Sequence, residues 1–118
     1  MSRIGILVMR FLALLPLAWI RAIGSVLGWF LYLVVVPRRH VVRTNLALCF
    51  SQWTARQRRA VGRRVFVLVA QSWLDRSWLW HASPEVTKRR LRLAGAVEEL
   101  AGTQPTLLFV PHFVGMDA

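Results

Sequence analysis

Two residues near the carboxyl end of the sequence could carry acid–base chemistry. In PHFVGMDA, His112 directly follows Pro111, and Asp117 lies five positions further on. A neutral imidazole can remove a proton from a hydroxyl group near physiological pH, which suits His112 as a general base. A carboxylate that accepts a hydrogen bond from the other ring nitrogen holds one tautomer and stabilises the imidazolium. The pair is therefore a candidate catalytic dyad.

The spacing restricts the backbone that could bring these two side chains together. On one continuous helix, residues five apart point about 140° away from each other, so they could not meet. Between the end of a strand and the first turn of a following helix the chain can fold back, and Gly115 gives it that freedom. The spacing alone does not distinguish a catalytic pair from a chance occurrence, and no clustered companions predict a metal site. His40 and His81 are expected to be structural.

The elements that would position the pair are predicted from residue 83 onward. Ser83, Pro84 and Glu85 are typical of a helix start. Leu91 and Leu93 alternate with arginines, which predicts a short strand. A short helix over Ala96–Ala101 and a second strand over Thr106–Val110 follow. This order predicts an α/β domain, with His112 at the carboxyl edge of its sheet.

The first part of the chain is apolar from Ile4 to Val36 and contains only Arg10 and Arg21 as charges. We predict one long helix with a kink at Pro16, since loss of one donor bends a helix. Arg21 lies on a thin basic seam with Arg3 and Arg10, so the helix can either span a membrane or lie in its interface. The arginines after the segment place the rest of the chain on the cytoplasmic side; they are Arg38, Arg39 and Arg43.

The middle of the chain is predicted to be helical and basic. A short helix is expected after Pro37, and a long helix from Thr54 to about Trp80. On the long helix an apolar stripe and a basic face are expected on opposite sides. The predicted stripe is Val61, Val65 and Leu68, with Ser72 beside it, and the predicted basic face is Arg56, Arg59 and Arg63.

Composition favours membrane association. Hydrophobic residues make up 56% of the 118 residues, with six Trp and six Phe, and the net charge is +11. Disordered basic tails lack such apolar content. A non-catalytic protein that binds anionic lipid through basic helices remains an alternative, whereas the hydrophobic first segment argues against nucleic-acid binding. The single thiol, Cys49, cannot form an internal disulfide and is expected to be a small buried side chain.

Several motifs, in order along the chain, resemble the bacterial lipid A biosynthesis acyltransferase family, which is lysophospholipid-acyltransferase-like. An apolar amino-terminal helix and a basic cluster precede NLALCF, which contains Asn45, Leu46, Cys49 and Phe50. The stretch LRLAGAVEELAG follows, and PHFVGMDA then resembles the family's His-x-x-x-x-Asp motif. Ser51 stands where relatives commonly have proline, and GTQPTLLFVP replaces a glycine-rich approach to the histidine.

The resemblance implies an O-acyltransferase with His112 and Asp117 as catalytic residues and without a metal or cofactor. Its donor would be acyl-carrier-protein and its acceptor a hydroxyl of a lipid A precursor, on the cytoplasmic face of the bacterial inner membrane. Other membrane glycolipids or phospholipids remain alternative acceptors. Family members are more than twice as long, so we expect an amino-terminal fragment that is inactive alone.

The expected organisation has three parts. Residues 1–37 would form a membrane-anchoring helix and residues 38–82 a helical basic segment. Residues 83–118 would begin an α/β acyltransferase domain.

Overall fold

The computed structural model describes residues 3–92, 94, 102 and 105. Helices dominate this part of the chain, and no strand occurs within it. The helices are α1 (Arg3–Ala13), α2 (Leu17–Val34), α3 (Val36–Cys49), α4 (Ala55–His81) and α5 (Pro84–Arg90).

The amino-terminal apolar segment forms two helices that are separated at Pro16. The turn after α1 has two backbone hydrogen bonds that each join residues three apart. They run from Leu14 N–H to the Phe11 carbonyl and from Leu15 N–H to the Leu12 carbonyl, both 3.1 Å. Pro16 then precedes α2 with φ −55° and ψ 144°. Proline lacks a backbone donor and disfavours helical geometry in the residue before it. The prediction of one kinked helix is therefore wrong, because the chain breaks here and reverses.

Helix α2 packs antiparallel against α4 along most of its length. Contacts between the two helices follow in reverse order along the chain: Arg21 with Asp75, Gly24 with Gln71, Gly28 with Phe66 and Val67, and Tyr32 with Phe66. The rings in the last pair meet edge to face, with centroids 5.4 Å apart. Helix α1 also packs on α4, so the three helices form one apolar bundle.

Two glycines allow the backbones of α2 and α4 to approach closely. A Cβ atom built on Gly24 would lie 2.7 Å from Gln71 Cγ. One built on Gly28 would lie 2.8 Å from the Phe66 carbonyl oxygen and would also overlap Val67 Cα. Residues four apart share a helix face, so Gly24 and Gly28 together form a small-residue contact of the GxxxG type.

The long helix begins and ends as the sequence predicts. Thr54 accepts a hydrogen bond from Gln57 N–H at 3.2 Å, and Gln57 Oε1 accepts from Thr54 N–H at 2.8 Å, forming a capping box. Helix α5 begins after Ser83, whose hydroxyl accepts a hydrogen bond from Val86 N–H at 3.5 Å. A hydrogen bond with the Ser83 side chain holds the pKa of Glu85 below its usual value. The short third helix is also confirmed, although α2 ends at Val34 and Pro37 lies inside the first turn of α3.

The faces of α4 only partly match the predicted ones. The basic face is confirmed, because Arg56, Arg59 and Arg63 are exposed. Val61 and Val65 are half-buried, but Leu68 is 42% exposed. The buried face of α4 is rotated about the helix axis from the predicted stripe, because the glycine contact with α2 determines which face of α4 turns inward. It consists of Gly62, Ala70, Ser77 and Trp78.

The α/β prediction is wrong for the described residues. Leu91, placed in the first predicted strand, instead ends α5 and donates its N–H to the Thr87 carbonyl at 2.9 Å. Its side chain packs against the core formed by Ala13, Ile20 and Trp78. The arginine and leucine residues at this point therefore form the end of α5, which packs on the core, and not a strand. The predicted helix Ala96–Ala101 and strand Thr106–Val110 lie outside the described residues.

The glycine contact predicts that Gly28→Ala destabilises the bundle. The added methyl meets backbone atoms, so α4 must move away from α2. We expect a loss on the order of 1–3 kcal/mol from overpacking, despite a helix-propensity gain of about 1 kcal/mol. Equilibrium unfolding followed by circular dichroism in detergent measures this free energy.

Gly62→Ala is the matched control, because it adds the same methyl to another buried helical glycine. There a Cβ would lie 3.7 Å from Val42 Cγ1 and 3.8 Å from Leu46 Cδ1, which are ordinary contacts. This variant should be as stable as the wild type or more stable. Equal stability of Gly28→Ala and the wild type would contradict the proposed close packing.

Candidate functional site

The predicted catalytic residues His112 and Asp117 lie outside the described residues, so their pairing stays a prediction. The other two histidines are exposed, His40 on α3 and His81 at the end of α4. Cys49 is exposed at the end of α3, so the expectation of a buried thiol is wrong. No group of three or more metal-ligating side chains gathers in the described part of the chain.

A polar cluster crosses the interface between α2 and α4. Arg21 Nη2 lies 3.0 Å from Asp75 Oδ2, and Trp78 Nε1–H donates to Asp75 Oδ1 at 3.1 Å. Gln71 Nε2 donates to the Arg21 carbonyl at 3.1 Å and to Ser25 Oγ at 3.0 Å. The Ser25 hydroxyl also donates to the Arg21 carbonyl at 2.8 Å. Both carboxylate oxygens of Asp75 are thus engaged, which makes it a structural group and not a free base.

The ion pair between Arg21 and Asp75 stabilises two charged side chains at the contact between α2 and α4. The Asp75 side chain is 15% exposed and that of Arg21 is 43% exposed. A carboxylate withdrawn from water needs a partner and further hydrogen bonds, which Arg21 and Trp78 provide. The sequence carried a signal for this contact that was missed. Asp75 is the only acidic residue before Glu85, and Arg21 is the only charge in α2.

Arginine and tryptophan also meet at the ends of α4 and α5. The Arg90 guanidinium lies 5.5 Å from the ring centroid of Trp78, and its Nη2 donates to the Leu15 carbonyl at 3.0 Å. This contact satisfies a backbone acceptor at the turn between α1 and α2. Arg76 lies 4.7 Å from the ring centroid of Trp73 on the adjacent helical surface. Such cation–π contacts stabilise a charge that lies against apolar surface.

A basic surface, which we call the basic end, covers α3 and the first turns of α4. Its exposed members are Arg38, Arg43, Arg56, Arg59, Arg63 and Arg64. Two neighbouring arginines are used within the fold. Arg39 donates to the Tyr32 carbonyl at 3.1 Å, and Arg58 donates to the Trp53 carbonyl. The basic end therefore presents cationic groups that can contact phosphates or acidic side chains.

Helices α1 and α2 expose a large apolar surface. Its most exposed side chains include Ile4, Phe11, Trp19, Val26 and Phe30. By length and composition, α2 could cross a membrane, with a mean hydropathy of 1.7 over its 18 residues. Extensive exposed apolar surface indicates contact with a membrane or another protein. The described residues thus expose cations on α3 and α4 and apolar side chains on α1 and α2.

The polar cluster predicts energetic coupling between Arg21 and Asp75. Asp75→Asn keeps an acceptor for Trp78 but removes the charge, and Arg21→Met keeps an apolar stem. Each single change should cost about 1–3 kcal/mol of unfolding free energy, between the values for exposed and buried pairs. The double variant should lose less than the sum of the two singles.

A double-mutant cycle in detergent measures this coupling. Arg63→Met on the exposed basic face is the matched control and should change stability by less than about 0.5 kcal/mol. Strict additivity of the Arg21 and Asp75 changes would show that the ion pair contributes nothing.

Comparison with protein families agrees with the resemblance of the sequence motifs. The model of a family described as bacterial lipid A biosynthesis acyltransferase matches residues 1–118, which include the apolar helices, the basic end and His112. Neither the curated proteins nor the solved structures gave a match. Because the family match covers the whole sequence, the chain belongs to the bacterial lipid A biosynthesis acyltransferase family.

Proposed function

We propose that the protein transfers an acyl chain from an acyl-carrier-protein thioester to a hydroxyl group of a lipid A precursor. The observation that carries this proposal is the family match over residues 1–118. The reaction would take place at the cytoplasmic face of the bacterial inner membrane. The exposed apolar surface of α1 and α2 supports a membrane-embedded acceptor.

In the proposed step, His112 removes the proton from the acceptor hydroxyl as its oxygen attacks the thioester carbonyl. Asp117 orients the imidazole and stabilises its protonated form. Collapse of the tetrahedral intermediate breaks the carbon–sulfur bond, and the proton passes from His112 to the departing thiolate. The products are an ester on the acceptor and a free carrier thiol. General base catalysis of this kind contributes roughly 10²- to 10⁴-fold to the rate.

The charge distribution supports both proposed substrates. The basic end suits an acidic carrier protein, because complementary charge raises the rate of encounter. It also suits the phosphates of a glycolipid acceptor. Of these arginines, Arg38 lies among apolar side chains of α2 and α4, so a partner bound there would also contact apolar surface.

A non-catalytic role is the second candidate, and one observation favours it. The basic end and the apolar surface would by themselves bind an anionic membrane. This role needs neither His112 nor Asp117. The two functions therefore differ in their dependence on those residues.

The proposal predicts that His112→Ala lowers acyl transfer by at least about 10²-fold, because the general base is lost. Asp117→Asn should also lower the rate, since the imidazole loses its orienting carboxylate. The assay follows labelled acyl chains from acyl-carrier-protein to a lipid A precursor in membranes. The assayed protein is the one encoded by the entire open reading frame.

His40→Ala and His81→Ala are matched controls, because both histidines are exposed on helices. They should keep wild-type rates, and all variants should remain in the membrane fraction. Transfer at the wild-type rate by His112→Ala would refute the catalytic assignment. A wild-type protein that binds anionic vesicles without any transfer would favour the non-catalytic role.

A further inference from the structure

An apolar groove runs along the bundle where α1, α2 and α4 meet, with α3 at one end. It consists of two adjoining clefts of about 420 Å³ and 710 Å³. Leu31, Val69 and Trp73 line both clefts and so make them continuous. Each volume lies in the range of roughly 300–1,000 Å³ that is typical of small-molecule sites. The groove is thus large enough for a substantial apolar ligand.

The groove has a cation at one end. Among the described residues that line it, Arg38 is the only charged one. Arg38 forms no hydrogen bond or ion pair with any residue that the structure describes, unlike Arg39, which donates to the Tyr32 carbonyl. Arg38 lies in the first turn of α3 and is the member of the basic end that lines the groove. A guanidinium without a partner among the described residues, at the mouth of an apolar groove, matches a ligand with an apolar chain and an anionic group.

The length of the groove matches a lipid chain. Its α4 wall runs from Val65 to Leu74, which at about 1.5 Å per residue is about 13 Å. One leaflet of hydrocarbon is about 15 Å thick, half of the roughly 30 Å core. The wall is also open to the exposed apolar side of the bundle, since Trp73 is 62% exposed. A bilayer lipid can therefore enter sideways.

We propose that this groove binds one chain of an anionic bilayer phospholipid, with its phosphate at Arg38. The chain lies along α2 and α4, and its tail reaches Val8 and Leu74. The site is separate from the proposed acyl transfer, because neither His112 nor an acyl donor takes part. The bound lipid fills the space between α1 and α4 and fixes the depth of the bundle in the membrane.

Lipid retention tests this site. The protein is reconstituted in nanodiscs with equal amounts of phosphatidylglycerol and phosphatidylcholine, then transferred to mild detergent. Native mass spectrometry counts the lipids that stay bound. The wild type should retain one phosphatidylglycerol in preference to phosphatidylcholine. Arg38→Gln should lower that preference about fivefold, as expected for one cation at a headgroup.

Two matched controls separate the groove from the general surface. Arg43→Gln removes an exposed arginine of the same helix that does not line the groove, and it should keep the wild-type preference. Val69→Trp fills the groove and should abolish retention, whereas Leu68→Trp should not. Val69 and Leu68 are 40% and 42% exposed, so neither change needs to disturb the core. Circular dichroism verifies that all four variants keep their helical content.

Three outcomes would overturn the proposal. Retention of no lipid by the wild type would show that the groove does not bind a bilayer phospholipid. Equal effects of Arg38→Gln and Arg43→Gln would show only a diffuse attraction to the basic end. Displacement of the retained lipid by a lipid A precursor at equal concentration would assign the groove to the acceptor. Because no acyl donor is present, failure here leaves the test of His112 unaffected.

Discussion

The close antiparallel contact between α2 and α4 is the constraint on which the rest of the structure depends. Gly24 and Gly28 let the two backbones meet, and this fixes the rotation of both helices about their axes. Once the rotation is fixed, Arg21 faces Asp75 and Tyr32 faces Phe66. The same rotation turns the arginines of α4 outward. One steric contact thus determines both the polar cluster and the basic end.

This contact also changes how the apolar helix can relate to a membrane. A single apolar helix can insert into a membrane as an independent anchor, but α2 is packed against α4 along most of its length. Whatever depth α2 takes, Gln71 and Asp75 take as well. Burial of a lone carboxylate at that depth would be costly, and the pairing with Arg21 reduces the cost. The polar cluster is therefore what makes an apolar environment compatible with the part of α4 around Asp75.

Local signals in the sequence predicted the helix starts but not the contacts between helices. Thr54 and Ser83 are caps, whose hydrogen bonds involve neighbours within a turn, so residue type alone indicates them. Pro16 can either bend one helix or separate two helices. The packing of α1 and α2 against α4 decides between these structures, and the local sequence does not specify that packing. The strand predicted at Leu91 is wrong for a related reason, because two alternating pairs of leucine and arginine fit a strand as well as a helix end. The α/β fold was inferred from an order of helices and strands whose first strand began at Leu91, and the described residues contain no strand. The predicted dyad depends on the family pattern around His112 and Asp117.

The end of α5 connects the membrane-associated bundle to the segment that carries the proposed chemistry. Leu91 packs on Ala13, Ile20 and Trp78, and Arg90 donates to the Leu15 carbonyl. Both contacts join the chain to the turn that Pro16 creates between α1 and α2. The segment that contains His112 therefore starts from a point held by apolar packing and one charge-assisted hydrogen bond. The turn at Pro16 thus forms the surface on which the end of α5 is held, and the segment that carries the proposed chemistry follows α5.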